Sequence, residues 1–443
     1  VNPYSDRHTA SAVAKIFRRV VPLFVVMLIC NQLDRGNIAF AQEHLEADVG
    51  LGDAAYGLGA GVFFIAYAIF EVPSNLLMER FGPKIWLTRI MITWGLVSAG
   101  MALVQGERSF YVLRFLLGVA EAGFFPAIIY YFTRWVPNSH RGRAIALFIA
   151  GSSIAAAISG PLSVPLLSMH LFGLTGWQSL FVAEGALSVV IGVVAYAMLD
   201  SRIEDATWLS AEERTALADV VAAEDAERTR RAEQTAGQAK PSRLRVLVDP
   251  TVLGCCAIFF ACSMAIYATT FWLPSILHDI PGAGDTEVGW LSAIPWVFAI
   301  GAAFGFNRVA DRHDSHRRWL VLTLVVAAVA TMISAFTGPW GALALLTVGT
   351  MCFKAASSLF WAVPERSMHP AVLAPAIAII NSLGNLGGFV APYGFGVVKA
   401  QTGTVSLALV ALALFGLLAA VLAVFVGRRR RTPPMVTSAA PAV

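Results

Sequence analysis

Apolar residues in this chain fall in runs of about twenty, broken by short clusters of charge and turn residues. That length, wound as helix, crosses roughly 30 Å of hydrocarbon. The runs lie at roughly 20–42, 55–78, 85–104, 109–134, 142–166 and 177–199, then at 250–277, 287–307, 319–337, 339–362, 372–398 and 404–427. Lipid offers no hydrogen-bond partners, so each run must satisfy its own backbone as a helix, and an even count returns both termini to one side. The pattern predicts an all-α membrane protein of twelve transmembrane helices.

One connection, residues 200–249, is far longer than the others. It mixes both charge signs and opens an Ala- and Glu-rich stretch with Ser210-Ala-Glu-Glu213, a helix-start signature. It divides the chain into a six-helix bundle over 1–199, a linker helix or loop over 200–249, a second bundle over 250–427 and a disordered tail over 428–443. The halves echo each other weakly. Asn75-Leu-Leu-Met-Glu79-Arg80 parallels Asn307-Arg-Val-Ala-Asp311-Arg312, and Trp135-Val-Pro137 parallels Trp361-Ala-Val-Pro364. Such repeats imply two pseudo-symmetric bundles with a site at their interface.

Composition agrees. Of 443 residues, 57% are hydrophobic and only 14% charged, about half the charge of a soluble domain. The net charge of +4 sits between the apolar runs rather than in a basic stripe, which argues against a nucleic-acid partner. The cations gather at the N-terminus (Arg7, Lys15, Arg18, Arg19), in the even-numbered connections (Arg80, Lys84, Arg141, Arg143, Arg312, Arg317, Arg318, Arg366) and at Arg428 to Arg431, against Arg108 and Lys399 opposite. The positive-inside rule then makes both termini cytoplasmic. The first apolar run lacks a cleavage site and is expected to stay in the mature chain. Cys30, Cys255, Cys256, Cys262 and Cys352 all lie inside apolar runs without metal spacing and read as free thiols.

Once the loops and the ends of the runs are accounted for, seven charges remain deep in them: Asp34, Arg35, Glu71, Arg114, Glu121, Glu184 and Lys354. Each costs about 2.5–3.5 kcal/mol at mid-membrane unless paired or hydrated. Arg114 and Glu121, seven apart, return to one helix face, either as an internal ion pair or as working groups. Glu71 and Glu184 lie nearer the ends of their runs and read as packing or conformational-lock residues. Lys354, Ser358 and Trp361 follow i, i+4, i+7 spacing. With no deep acid in the second half, Lys354 must meet an acid of the first half, lose its proton or face an anionic substrate. Tyr67, Tyr267, Trp272, Asn381 and Asn385 are further candidates for a cavity wall.

The motifs Asn31-Gln-Leu-Asp34-Arg35-Gly-Asn37, Tyr67 with Glu71-Val-Pro-Ser-Asn75, Arg114-Phe-Leu-Leu-Gly118-Val-Ala-Glu121-Ala-Gly-Phe-Phe-Pro126, Tyr267 with Phe271-Trp-Leu-Pro274, and Asn381-Ser-Leu-Gly-Asn385-Leu-Gly-Gly388 carry a resemblance. From about Arg18 to Phe425 the chain resembles the major facilitator superfamily. Within it, the chain resembles the anion:cation symporter family, which includes bacterial tartrate, sugar-acid and aromatic-acid transporters and is similar to sialin and vesicular glutamate carriers. The resemblance implies a monomeric, multi-pass protein of the bacterial inner membrane that imports small organic anions with protons and needs no cofactor or metal. It implies that Arg35 binds substrate carboxylate, that Asp34 and Glu121 carry protons and that Arg114 couples them. Tyr67, Ser358, Trp361 and Asn381 match its substrate-contacting positions. Glu79, Arg80, Asp311 and Arg312 match its gating loops, although Glu79-Arg80-Phe-Gly82-Pro83-Lys84 departs from the usual Asp-Arg-x-Gly-Arg-Arg. Lys354 departs from the sugar-acid members.

No nucleophile and base pair, phosphate loop or metal cluster is present in the sequence, so an enzyme is not expected. Two other readings stand beside uptake. Gly160-Pro161 resembles part of an exporter signature, though Leu162-Ser163-Val164 follows it, and segment 200–249 could serve a non-transporting sensor.

Overall fold

Long helices follow the apolar runs. The computed structural model describes residues 7–236, 249–368 and 370–426, and no β-strand occurs among them. The first half comprises α1 (Arg7–Val49), α2 (Asp53–Phe81), α3 (Pro83–Gly100), α4 (Glu107–Glu121), α5 (Phe124–Trp135), α6 (Asn138–Leu167) and α7 (Gly176–Met198), and α8 (Ala211–Ala236) follows in the linker. The second half comprises α9 (Pro250–His278), α10 (Asp285–Arg312), α11 (His316–Ser334), α12 (Pro339–Phe360), α13 (Ala362–Ser367), α14 (Pro370–Asn385), α15 (Gly387–Thr402) and α16 (Ser406–Phe425). Ten helical segments among the described residues are long and apolar enough to cross a bilayer. Helix α1, diluted by the charges of the site, and the pair α14–α15 make up the twelve. The expected tail over 428–443, with Arg428 to Arg431, and the end of the linker lie outside the described residues.

The fourth apolar run is broken rather than straight. Helix α4 ends at Glu121 and α5 begins at Phe124, with Gly123 between them at φ 87°. That left-handed conformation suits glycine, and a Cβ there would lie 2.4 Å from Ser74 Oγ. Ser74 in turn donates to Ala122 O at 2.6 Å and accepts from Trp86 Nε1 at 3.0 Å. The break thus sets Glu121 at a helix terminus instead of inside a continuous rod.

The linker signature forms the reciprocal capping pair its residues promise: Ser210 N donates to Glu213 Oε2 at 2.9 Å and Glu213 N to Ser210 Oγ at 3.2 Å. Glu213 also accepts from Lys15 Nζ at 2.6 Å and Ser11 Oγ at 2.7 Å, tying α8 to the start of α1. Burial pushes its carboxyl upward, but these donors outweigh it and hold the pKa at about 2. Trp208 stacks on Trp135 with ring centroids 6.0 Å apart, and Arg19 lies 5.6 Å from the Trp208 ring. Through these contacts α8 is bound to the first half. Its side is termed the linker face; α1 runs from there to the opposite, far face.

At the far face the halves close on each other. A Cβ on Gly57 of α2 would meet Pro392 O of α15 at 2.4 Å, and one on Gly160 of α6 would meet Gly289 O of α10 at 2.0 Å. Small residues bring these helix pairs into backbone contact, as membrane packing favours. Tyr56 Oη donates to Phe271 O at 3.0 Å across the same seam. At the linker face, by contrast, Glu79, Arg80, Asp311 and Arg312 are exposed and make no ion pair with one another. Asp311 is bound instead to His316, at 2.8 Å.

Candidate functional site

Adjacent residues on a helix point about 100° apart, and Asp34 and Arg35 use that divergence. Arg35 turns toward the space between the halves and binds Glu121 through both Nε and Nη2. Its guanidinium lies 5.3 Å from the Phe63 ring and 5.0 Å from the Tyr67 ring. Asp34 turns the other way, into the packing of α1 with α3 and α7, where it accepts from Ser98 Oγ and Asn37 Nδ2.

Arg114 and Glu121 share a helix but are not ion-paired. Arg114, 1% exposed, donates from Nε to Gly59 O at 3.2 Å, and its guanidinium lies 5.0 Å from the Phe63 ring. Phe63 therefore meets both guanidiniums while Glu121 is left to Arg35. Gly118 makes this approach feasible, since a Cβ there would strike Phe63 O at 2.3 Å.

A cavity of about 210 Å³ lies between the halves, lined by residues of α1, α6, α9, α10, α12 and α14. Arg35, Tyr267, Lys354 and Asn385 line it as expected from the sequence, and no carboxylate is among its lining residues. Lys354 makes no ion pair among the described residues. Of its options, an acid of the first half is thus not taken up in this conformation.

Several expected wall residues lie elsewhere. Ser358 is exposed and accepts from Asn307 Nδ2 at 2.8 Å, and the hydroxyl that joins Lys354 at the cavity is Ser357. Helix α12 presents its i, i+3 edge, so the i, i+4, i+7 stripe is rotated out of line. Trp361 packs against Phe259 and Phe360, with centroids at 4.9 and 5.3 Å. Tyr67 lies under Arg35 rather than in the wall, Asn381 does not line the cavity, and Trp272 is fully buried in packing with Tyr56 and Phe395. The sequence reading passed over Gln32, Ser152, Ser159, Ser263, Thr270 and Ser292, all of which line the cavity. Their signal was available: Ser152, Ala156 and Ser159, like Ser263, Tyr267 and Thr270, follow i, i+4, i+7 and put small or polar groups on one face of otherwise apolar helices.

The contacts that join the halves also differ from the expected gating loops. They lie at the far face, where Lys399 Nζ reaches Asp53 Oδ1 at 3.1 Å, His44 Nε2 meets Asp285 Oδ2 at 3.2 Å and His278 Nδ1 meets Glu43 Oε2 at 3.2 Å. Each pairs one half with the other. The hydrogen bond to Asp285 raises the pKa of His44, and the same bond lowers that of Asp285, while burial raises Glu43.

Comparison with known proteins supplies the remaining findings. The model of the Major Facilitator Superfamily matches residues 24–392. The chain is 41% identical to a quinolone resistance transporter of Acinetobacter baumannii, covering 90% of this chain and 92% of that protein. It is 39% identical to a putative tartrate transporter of Agrobacterium vitis, covering 95% and 92%. Among solved structures, an inward-open conformation of the xylose transporter XylE from E. coli matches with a TM-score of 0.75 at 12% identity, covering 93% of this chain and 96% of that one. The last likeness concerns the fold alone.

Proposed function

The chain belongs to the Major Facilitator Superfamily, and from that premise we propose that this membrane transporter imports small organic anions together with protons by alternating access. One observation carries the reading: Arg35 and Lys354 line one cavity between the halves, and no carboxylate lines it. Hydroxyl and amide groups of Ser159, Thr270, Tyr267 and Asn385 supply further hydrogen-bonding partners for a carboxylate or hydroxy acid. The relative named as a putative tartrate transporter supports the same class.

In the cycle proposed, the linker face is cytoplasmic and the conformation described is inward-facing after release. Glu121, ionised, occupies Arg35. Once the empty carrier has rocked open to the far face, protonation of Glu121 from that side frees the guanidinium, whose planar fork then binds substrate carboxylate. Rocking of the halves about the central cavity carries substrate and proton inward. Asp34 is the second proton carrier, and Arg114, held on the α2 carbonyls across Phe63, transmits movement of one helix to the other. The protein resides in the bacterial inner membrane and acts as a monomer.

Labelled tartrate uptake into proteoliposomes tests the proposal. Accumulation should require an inward proton gradient and collapse with a protonophore; gradient-independent uptake would exclude proton coupling. The relative named as a quinolone resistance transporter favours a second reading, export. Net efflux of a quinolone from preloaded vesicles, with no inward concentration of tartrate, would select it.

A further inference from the structure

The proposed cycle gives Glu184 no task, yet its surroundings are unusual for a packing residue. Glu184 of α7 is 4% exposed and Asp34 of α1 is 1% exposed. Asn37 joins them: its Nδ2 lies 2.9 Å from Glu184 Oε2 and 3.3 Å from Asp34 Oδ1, so the two N–H bonds of one amide serve one carboxylate each. Ser98 Oγ, on α3, donates to the same Asp34 oxygen.

No cation neutralises the group. Among the described residues neither acid forms an ion pair; Arg35 is held by Glu121 and Arg114 by backbone carbonyls. The other titratable or charged groups that face the pair are Cys30, from α1, and Glu121 and Arg114, from α4. Two ionised carboxylates around one neutral amide, out of contact with water, would repel each other in a medium that does not screen them.

Hydrogen bonding leads to the same point. Glu184 Oε1, Asp34 Oδ2 and Asn37 Oδ1 are buried without a partner, and all three are acceptors. The Trp94 indole Nε1, which faces Asp34 and is itself unpartnered, is one donor for these three acceptors, and a proton on either carboxyl supplies a second. Sequence position alone suggested a lock residue near a helix end; the shared amide ties Glu184 to Asp34 instead.

We propose that Glu184 is a proton-holding partner of Asp34, the pair, bridged by the Asn37 amide, holding one proton on its two carboxyls. When Asp34 loses the proton, its O–H bond breaks and one forms at Glu184; the pair keeps a single negative charge, and no other reactant is needed. The use of this store in transport rests on the proton-coupled reading, but its existence does not.

Infrared titration of the purified protein tests the store directly, through the carbonyl band of protonated carboxylic acids. Wild type should show coupled uptake of protons by two interacting groups. In Glu184→Gln the coupled titration should reduce to one group, in Asp34→Asn likewise, and Glu184→Asp should restore two. A carboxylic-acid titration in Glu184→Gln indistinguishable from wild type would overturn the proposal, whether or not tartrate is carried; should the glutamine variant not fold, Asp34→Asn gives the same decision. In proteoliposomes that take up tartrate, the ratio of protons to tartrate should be lower in Glu184→Gln than in wild type. An unchanged ratio would remove Glu184 from the cycle while leaving proton-coupled uptake intact. Failure of tartrate uptake in wild type, with the coupled titration present, would count against the transport reading and not against the store.

Discussion

Arg35 and Glu121, eighty-six positions apart in the chain, are bound to each other in the interior, with Glu121 at 0% exposure. A substrate carboxylate and Glu121 therefore compete for one guanidinium. Glu121→Gln, whose neutral amide mimics the protonated acid in shape and in charge, should leave Arg35 free. The variant should lose proton-driven accumulation and keep exchange of substrate across the membrane. Counterflow and gradient-driven uptake measured on the same vesicles separate these; a variant that concentrates substrate like wild type would refute the assignment.

The same pair sets a stability expectation. Removing Arg35 alone strands an ionised carboxylate in the interior, at a cost of about 3–5 kcal/mol, whereas removing both charges is far milder. Arg35→Leu should therefore lower the melting temperature clearly, and Arg35→Leu combined with Glu121→Gln should recover most of the loss. Additive losses in the double variant, by thermal melting in detergent, would show that the two residues do not interact.

Closure of the far face should depend on pH. The His44 pKa is raised by the hydrogen bond to Asp285, so the contribution of that bond is fully present below the ordinary histidine value of 6.5 and is lost as pH climbs through the raised one. Asp285, lowered by the same bond, gives way only at the acid end, as pH falls through its depressed value. Between those limits the contact favours the closed far face. Both side chains are more than a third exposed, at 37% and 38%, so the effect is modest and weakened by salt. Spectroscopic distances between labels on the far ends of the two halves should lengthen on going from about pH 6 to about pH 8. His44→Gln should flatten that response; a response of wild-type size in this variant would exclude the histidine.

Helix content, the capped linker helix and the buried charges were legible because each is a local pattern: an apolar run, a Ser-x-x-Glu box, an ionisable residue where lipid forbids one. Which charges meet was not. Arg114 is closer than Arg35 to Glu121 in sequence, yet the close packing of α2 on Gly118 turns Arg114 to the carbonyl of Gly59 and leaves Glu121 to α1. The closed seam was missed for a similar reason. Its ion pairs join residues such as Asp53 and Lys399 at opposite ends of the chain, whereas the paired motifs Glu79-Arg80 and Asp311-Arg312 point to the other face. The wall of the cavity was legible in part: Lys354 was singled out by its charge, but the serines and threonines beside it resemble ordinary small residues at helix contacts.

Lys354 gives the sharpest test of substrate class. It shares the cavity with Arg35, contributed from the other half of the molecule, and no acid among the lining residues competes for it. A ligand with a single carboxylate can engage Arg35 and leave the ammonium to water and hydroxyls. A dicarboxylate, or a hydroxy acid with a second anionic end, can bridge the halves and gain from both cations, which also draws the halves together around it. Lys354→Ala should therefore weaken binding of tartrate about tenfold or more, an equivalent of roughly 1.4 kcal/mol, and change that of a monocarboxylate of similar size much less. Lys354→Arg should retain much of the preference, since the charge stays in the wall. Calorimetry on purified protein provides both affinities, and equal losses for the two ligands would take Lys354 out of the substrate contacts.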